Sequence, residues 1–466
     1  MSSEHLTVMP DNIHFSSASL REFGARYSEA LRGHFHEEMR RSQKAFKDLI
    51  AFPTTADSVP RHVRTPMKTA SLCALTGTLL AIPIFAAPPA PVFKAQTIDA
   101  KVGIGYGVAV GDINGDGKPD VVLVDKNQVA WYANPTWTKH IIAEKLTELD
   151  HVCLAVQDLD GDGKAEIAVG AGWNPGDTVK SGANFFLVPP IDRTQPWTPI
   201  TLPNEPTVHR MHWIRTPGGR YDLAIAPLHG RGNKQGEGEG VRIQALRVPA
   251  NGDATWRIEP IDSTLHMTHN FQPVRWEGKA WDELLVAGRE GVFHFSKNAN
   301  GWRRNQLVGN EGGQTNFVGA GEVRDGLLPA KQRFLATVEP MHGHQAVVYT
   351  APPAGSSQKF WNRRVLDATL IDGHAVACGD LLGTGSDQIL VGWRAMNRPG
   401  IKVGIKLYTP LDAEGSQWRT DLIDDNTMAC EDLRVADFNG DGRMDIIAAG
   451  RASHNLVLYL NETPKP

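Results

Sequence analysis

The chain has 466 residues, of which 41% are hydrophobic and 21% charged, enough for one large fold or several ordinary domains. Its 46 glycines and 30 prolines favour many turns, as in all-β folds. The formal net charge of −4 argues against the strongly basic surface of nucleic-acid-binding proteins, so we expect no nucleic acid partner. None of the four cysteines has the CxxC spacing of a zinc knuckle.

An export signal occupies an unusual place near the N-terminus. Residues 67–87 begin with Met67-Lys68, continue as an almost wholly apolar or small run, and end in Ala86-Ala87. This order is typical of a secretory signal peptide, and Pro83 and the short run disfavour a membrane anchor or core helix. Because signals normally open a chain, we expect residues 1–66 to be an extension absent from the mature protein. We therefore expect a secreted, periplasmic or cell-surface protein with no stable membrane span after processing.

The rest of the chain is built from an internal repeat. A tryptophan opens a short alternating strand six times, and Phe93 opens a seventh, weaker copy; the tryptophans are Trp137, Trp197, Trp256, Trp302, Trp361 and Trp418. The interval between consecutive opening aromatics, with four short strands in each repeat, indicates a propeller. The sequence therefore predicts an all-β, seven-bladed β-propeller over residues 93–463. We expect the strand at Phe93–Ile98 to pair with the last strand, Leu456–Leu460, and close the ring.

Four copies contain an aspartate-rich loop before an apolar strand: GDINGDGKPD at 111–120, QDLDGDGKAE at 157–166, GDLLGTGSD at 379–387 and ADFNGDGRMD at 436–445. The D-x-N-x-D-G spacing points alternate oxygens at one centre and suits calcium. We expect structural calcium in three loops, with the ligands Asp112, Asn114, Asp116, Asp120, Asp158, Asp160, Asp162, Glu166, Asp437, Asn439, Asp441 and Asp445. The alternative is a turn held by side-chain-to-backbone hydrogen bonds, which we expect in the sixth blade, where only Asp380 remains.

The loops and the apolar strand after each of them resemble the FG-GAP/VCBS propeller repeats. The resemblance covers about Phe93–Glu462 and implies the propeller fold. It implies no particular activity, because one fold hosts many functions.

Histidines and carboxylates recur where each innermost strand begins. Strand directions alternate within a blade, so these positions share one face with the loops joining second and third strands, opposite the aspartate-rich loops. Clustered imidazoles suit zinc or another divalent metal, or acid–base catalysis near neutral pH, whereas a single histidine is more often structural. We expect a catalytic group of His151, His209, His269, His342, His374 and Glu431. We expect substrate contacts, by stacking and by guanidinium pairing, from Tyr106, Trp173, His229, Arg289, Arg394 and Arg451.

The stretches LDHVCLAVQDLDGDG, TVHRMHW, LHMTHNF, EPMHGHQ and DGHAVACGD resemble the propeller domain of aldos-2-ulose dehydratase-type proteins. The resemblance implies elimination of water or an alcohol from a keto-sugar, and a bound divalent metal. Those enzymes also carry cupin domains after the propeller. Because this sequence ends at Pro466, we expect any activity housed in cupin domains to be absent.

Two functions remain open at this point. The first is a lyase in which a metal polarises a sugar carbonyl, His269 or His374 removes the adjacent proton, and His151 or His342 protonates the leaving oxygen. Glu431 would then hold the metal or orient a base. The second is a non-catalytic, calcium-stabilised propeller that binds a glycan or a protein partner on the same face. Convergence of three imidazole nitrogens would favour the lyase, and histidines that point apart would favour the binding module.

Overall fold

The computed structural model describes residues 87–249, 255–310, 317–396 and 399–465. The expected extension at 1–66 and the signal peptide, apart from Ala87, lie outside these ranges. Within the described ranges, no helix is long and apolar enough to cross a membrane.

The described chain forms seven antiparallel sheets of four strands each, which confirms the predicted seven-bladed propeller. A single turn of 3-10 helix, Trp276–Gly278, is the one helical element that these residues form. Blades 1 to 3, from inner to outer strand, are β2 (Gly107–Gly111), β3 (Asp120–Val124), β4 (Gln128–Ala133), β5 (Thr138–Glu144); β6 (Cys153–Gln157), β7 (Glu166–Ala171), β8 (Ala183–Val188), β9 (Thr198–Leu202); and β10 (Val208–Arg215), β11 (Tyr221–Pro227), β12 (Ile243–Arg247), β13 (Arg257–Asp262).

Blades 4 to 7 follow the same order except at the end of the chain. They are β14 (Thr268–Val274), β15 (Glu283–Gly288), β16 (Val292–Asn298), β17 (Gly301–Val308); β18 (Glu322–Leu327), β19 (Arg333–Glu339), β20 (Gln345–Thr350), β21 (Asn362–Asp367); β22 (Gly373–Gly379), β23 (Gln388–Trp393), β24 (Gly404–Pro410), β25 (Trp418–Asp425); and β26 (Cys430–Ala436), β27 (Asp445–Gly450), β28 (Asn455–Asn461) with β1 (Phe93–Asp99). The inner strands contact one another around the ring, and β26 meets β2.

The two ends of the chain close the ring as predicted. The strand β1 pairs antiparallel with β28, with Phe93 opposite Asn461 and Asp99 opposite Leu456. The outer strand of blade 7 therefore comes from the start of the propeller, and this pairing leaves no blade short of a strand.

The core lies between blades, because each sheet is covered on both faces. The second strands read as continuous apolar runs, and all five residues of β3, DVVLV, are buried. The outer strands are more exposed, as in β9, where only Leu202 is buried. The third strands add a recurring polar tie, in which a buried tyrosine hydroxyl donates to a carboxylate over 2.6–2.9 Å: Tyr132 to Asp99, Tyr349 to Glu339, Tyr408 to Asp367 and Tyr459 to Asp424.

Candidate functional site

Four β-bulges at the start of inner strands build the candidate site. In blades 3, 4, 6 and 7 the pairing of the inner strand with the second strand skips one residue near its start. The skipped residues are His209, His269, His374 and Glu431. A bulge leaves its extra residue outside the ladder and re-aims the side chain, which is why bulges are common beside active sites.

The three bulged histidines are held in the same way. Each ring Nδ1 lies 2.5–2.7 Å from a backbone carbonyl of the next blade: His209 to His269, His269 to Gly321, and His374 to Glu431. A carbonyl can only accept, so Nδ1 carries the proton and Nε2 keeps its lone pair. All three rings are buried. The bulges therefore present three neutral imidazoles with their Nε2 atoms available as ligands or proton acceptors.

A fourth histidine joins this group from the loop between β19 and β20. His342 has φ +53° and lies with its Nε2 atom 2.6 Å from Nε2 of His269. Arg394 Nη2 lies 3.3 Å from His342 Nδ1 and can only donate, so the His342 proton sits on Nε2 and is donated to His269. The ring of His342 packs 4.9 Å from that of His374.

The donor set of His269, His342 and His374 fits a divalent metal. One ring nitrogen of each lies within 4.8 Å of the other two. Zinc bonds of about 2.0–2.1 Å would place two nitrogens about 3.3 Å apart, so the ring of His342 would need a small outward shift. That ring is 41% exposed and sits in a loop, which makes such a shift easy. Three neutral imidazoles are a common ligand set for zinc and similar ions.

The electrostatics of the group keep its histidines neutral. Burial lowers the pKa of His209, His269 and His374 well below the usual range, and the charges of Arg210 and Arg394 add to the effect. Burial, His269 and Arg394 also lower the pKa of His342. A neutral ring is the form that binds a metal or accepts a proton, so His209, His269 and His374 are in that form near neutral pH. His342 would also have to move its proton from Nε2 to Nδ1 and release Arg394 before Nε2 could bind a metal.

The fourth bulged residue, Glu431, organises the rim. Its two oxygens accept from Arg394 Nη1 at 2.5 Å and from Arg451 Nη1 at 3.0 Å, and it lies 4.0 Å from His374 Nε2. Arg394 is also bonded to Asp372 over 3.1 Å. The partners Asp372, Arg394 and Arg451 border a cavity of about 370 Å³, whose other lining residues are Gly103, Ile104, Ala395, Met396, Ala452 and His454. Arg394 thus connects the cavity to His342.

Two predicted aromatic contacts lie beside the same group. The ring of Trp173 packs 4.9 Å from that of His209. The hydroxyl of Tyr106 donates to Asp150 over 2.8 Å, and the guanidinium of Arg451 lies 5.4 Å from the Tyr106 ring. Both aromatics therefore border the rim that we expected to contact substrate.

Three predicted site residues make their contacts elsewhere. His151 accepts a hydrogen bond on Nε2 from the Leu146 amide, and blade 2 has no bulge between β6 and β7 to turn it towards the group. The Nδ1 atom of His229 is buried without a hydrogen-bond partner among the described residues. Arg289 donates to the carbonyl of Gln235. The structure places none of the three in contact with the described histidine group.

Two carboxylates of the site were missed by sequence reasoning. Glu322, the first residue of β18, is buried with Oε1 3.3 Å from His269 Nδ1, and its other oxygen accepts from Asn270 over 2.5 Å. Asp372 directly precedes β22 and lies 3.9 Å from His342 Nδ1. Both occupy the start of an inner strand, so the same positional rule that selected the histidines would have found them.

The aspartate-rich loops lie between inner and second strands, on the opposite face. In blade 2, Asp158, Asp160 and Asp162 place one carboxylate oxygen each within 4.8 Å of the others. In blade 1, Asp112 accepts from the amides of Gly115 and Gly117 over 2.6 and 2.7 Å. The loops are thus both closed by backbone hydrogen bonds and rich in oxygens that could bind a cation.

The last acidic residue of each loop has its two oxygens occupied. Asp120 accepts from the amides of Ile113 and Asn134, at 2.9 and 2.8 Å, and burial with repulsion from nearby carboxylates raises the pKa of Asp120 to about 6. Asp445 accepts from two amides in the same manner, and Glu166 accepts from the Leu159 amide and from Arg193. In blade 6 the neutral Gln388 accepts from the Leu382 amide. These residues tie the loop to the second strand.

The fold defines a seven-bladed β-propeller protein, and two parts of the chain match known families. Residues 112–169 match the family described as FG-GAP-like repeat. Residues 182–352 match the family described as aldos-2-ulose dehydratase, beta-propeller domain, and this match contains His209, His269 and His342.

One curated relative carries the name of this second family. The aldos-2-ulose dehydratase of Phanerodontia chrysosporium is 24% identical over 390 residues, which cover 78% of this chain and 41% of that enzyme. The chain therefore spans well under half the length of the relative.

Solved structures with a similar fold include a chain of the mitotic checkpoint complex, with a TM-score of 0.49 and 13% identity over 87% of this chain and 100% of that one. The Cps50 (Swd1) β-propeller domain of Myceliophteria thermophila has a TM-score of 0.46 and 10% identity over 78% and 99%. These likenesses carry no argument about function.

Proposed function

We propose that the histidine face of this propeller is the active site of a sugar dehydratase, a carbon–oxygen lyase that eliminates water from a keto-sugar. The observation that carries the proposal is the convergence of His269, His342 and His374 on one point beside a cavity. The name of the relative, aldos-2-ulose dehydratase, supports the choice of reaction and of substrate class.

The sugar would bind in the 370 Å³ cavity next to His342. Small-molecule pockets are commonly about 300–1,000 Å³, so a monosaccharide fits this size class. Arg394 and Arg451 are held in place by Glu431 and can donate to sugar oxygens. Ile104, Ala395, Met396 and Ala452 supply the apolar lining.

His269, His342 and His374 would hold the metal. Bound there, a divalent ion would polarise the substrate carbonyl and make the adjacent C–H more acidic. The bulges and the carbonyl bonds to Nδ1 preset the rings of His269 and His374 for this role, because the Nε2 lone pairs are exposed to the site.

A histidine bound to metal cannot also accept the substrate proton, since Nε2 has one lone pair. We therefore assign proton transfer to His209, whose ring packs 4.6 Å from that of His269. Its Nε2 now accepts from Arg210 over 3.1 Å, and Arg210 keeps a second bond, to the His209 carbonyl, when that lone pair is used. His209 takes the proton from carbon, the C=C bond forms as the C–O bond breaks, and the imidazolium returns the proton to the departing oxygen, which leaves as water.

The test uses the purified protein with a series of aldos-2-uloses and follows the ultraviolet absorbance of the enone product. His209→Ala is expected to keep its metal and lose turnover by about 10²–10⁴-fold, as for removal of a general acid–base group. His374→Ala is expected to lose both metal and turnover. The control is His344→Ala, an exposed histidine in the same loop as His342, which should leave both unchanged.

If no aldos-2-ulose yields an enone but the same sugars bind, the protein is a glycan-binding module and not a dehydratase. Equal turnover in wild type and His209→Ala would refute the assigned base.

We also propose structural calcium in the loops of blades 1, 2 and 7, and export of the protein from the cytoplasm. The aspartate oxygens support the first of these proposals, and the sequence of residues 67–87 supports the second.

A further inference from the structure

Three arginines lie on the inner strands of alternate blades: Arg210 on β10, Arg324 on β18 and Arg434 on β26. The inner strands surround the axis, so residues of non-adjacent blades can meet only across it. Arg210 Nη2 of blade 3 lies 3.9 Å from Glu322 Oε1 of blade 5, and Arg324 Nη2 lies 3.7 Å from Glu322 Oε2. We call Arg210, Arg324 and Arg434 the arginine belt.

The belt has more positive than negative charge. Glu322 and Asp432 are the carboxylates paired with its three guanidiniums in the described structure, which leaves an excess of one positive charge (3 − 2 = 1). His212, whose ring packs 4.8 Å from that of Phe271, adds no charge, because burial and then the charges of the three arginines lower its pKa well below the usual range. Asp432 is already occupied by the amides of Val108 and Leu433.

Most guanidinium donors of the belt make no hydrogen bond with the described residues. The hydrogen bonds that these side chains make with the described residues all come from Nη1: Arg210 to His209, Arg324 to the Val323 carbonyl, and Arg434 to Asp432 and the Leu433 carbonyl. The Nη2 groups of Arg210 and Arg324 face Glu322 at 3.9 and 3.7 Å, too far for a hydrogen bond, so the Nε and Nη2 groups could take a further acceptor. Burial lowers the pKa of Arg324, and repulsion from Arg434 adds to this against the attraction of Glu322.

We propose that the arginine belt binds one small oxyanion, such as sulfate or phosphate, on the propeller axis between Arg324 and Arg434. Guanidinium forks match the oxygens of such ions with paired hydrogen bonds. The three side chains are only 11–28% exposed, and attraction between charges is stronger there than at a fully solvated surface. The ion would satisfy the free Nε and Nη2 donors and offset the repulsion between blades 5 and 7. The belt shares Arg210 with the proposed dehydratase site, but binding of the ion between Arg324 and Arg434 does not depend on that reaction.

The test is calorimetric titration of the wild-type chain with sodium sulfate and with sodium phosphate at constant ionic strength set by sodium chloride. Saturable binding of about one ion per chain is expected. Arg324→Gln and Arg434→Gln should weaken it by at least about ten-fold, because each removes a charged fork. Arg303→Gln, an exposed arginine on the outer strand of blade 4, is the matched control and should change the affinity by less than about two-fold.

A second measurement needs no variant and stands if the substituted proteins do not fold. Crystals of the wild type soaked in selenate should show an anomalous selenium peak within hydrogen-bonding distance of Arg324 and Arg434. No saturable sulfate or phosphate binding by the wild type, unchanged affinity in both belt variants, or selenium only at other, adventitious positions would each overturn the proposal.

Discussion

The two faces of this propeller use the same repeat in different ways. On the aspartate-loop face, similar loops recur in blades 1, 2 and 7, and each is closed by contacts within its own blade. On the histidine face, blades 3, 4, 6 and 7 each contribute one bulged residue, and each of the three bulged histidines is bonded to the next blade. A loop closed within one blade can be repeated from blade to blade. A site near the axis is assembled from several blades, and each blade contributes a different residue.

Substitutions on the two faces should therefore have different effects. A residue of an aspartate-rich loop serves its own blade, so its loss should affect stability and leave the histidine group intact. A residue of the histidine group is held by two blades and belongs to the proposed active site, so its loss should affect ligand binding first. Three predictions, taken in order of decreasing effect, test this separation.

Among the three substitutions, removal of the Asp120 carboxylate at the end of the blade 1 loop should lower the free energy of unfolding most. Asp120→Ala leaves the buried amides of Ile113 and Asn134 without an acceptor, and we expect a loss of about 2–4 kcal/mol in the free energy of unfolding. Urea unfolding in chelator buffer measures this loss, with the exposed Asp116→Ala as control. If Asp120→Ala has no effect on the free energy of unfolding in chelator, Asp120 stabilises the protein through calcium and not through the two amides.

The carboxylate behind His269 should tune metal binding without providing a ligand. Glu322→Gln keeps the shape but removes the charge 3.3 Å from His269 Nδ1, and we expect metal affinity to fall by about 10–100-fold. Competition with a zinc indicator measures the affinity. Glu290→Gln, which removes a carboxylate beside His266, is the control. Equal zinc affinity in wild type and Glu322→Gln would show that the contact is only structural.

The smallest of the three effects is expected on the pH dependence of the free energy of unfolding, through His212. The pKa of His212 is lowered on folding, so the unfolded chain binds this proton first and stability falls as pH drops below about 6.5. Between about pH 7 and 5.5 this histidine alone costs about 1 kcal/mol, and His212→Gln should remove that share of the slope. Urea unfolding at both values measures it, with His344→Gln as control. An unchanged slope would show that His212 does not titrate as proposed.

Much of this arrangement could be predicted from the sequence, because it depends on repeat spacing. The blade number, the pairing of β1 with β28, and the separation of the two loop sets follow from the repeats and from strand alternation. The meeting of His269, His342 and His374 follows from the same rule, since all three lie in loops or strand starts of one face.

What the sequence could not show are the bulges and the direction of single side chains. His151 occupies the same part of the repeat as His209, yet blade 2 lacks the bulge and its ring turns to the Leu146 amide. The loop spacing also made Asp120 look like a calcium ligand, although it begins β3 and is fully buried. Gln388, which cannot replace a charged ligand, was the signal that this position has a structural role.

The most direct test of the account is elemental analysis of the purified wild-type chain beside His269→Asn and His374→Asn. We expect a transition metal in the wild type, its loss in both variants, and equal calcium in all three proteins. A wild type without transition metal, or variants that retain as much of it as the wild type, would contradict the proposed metal site.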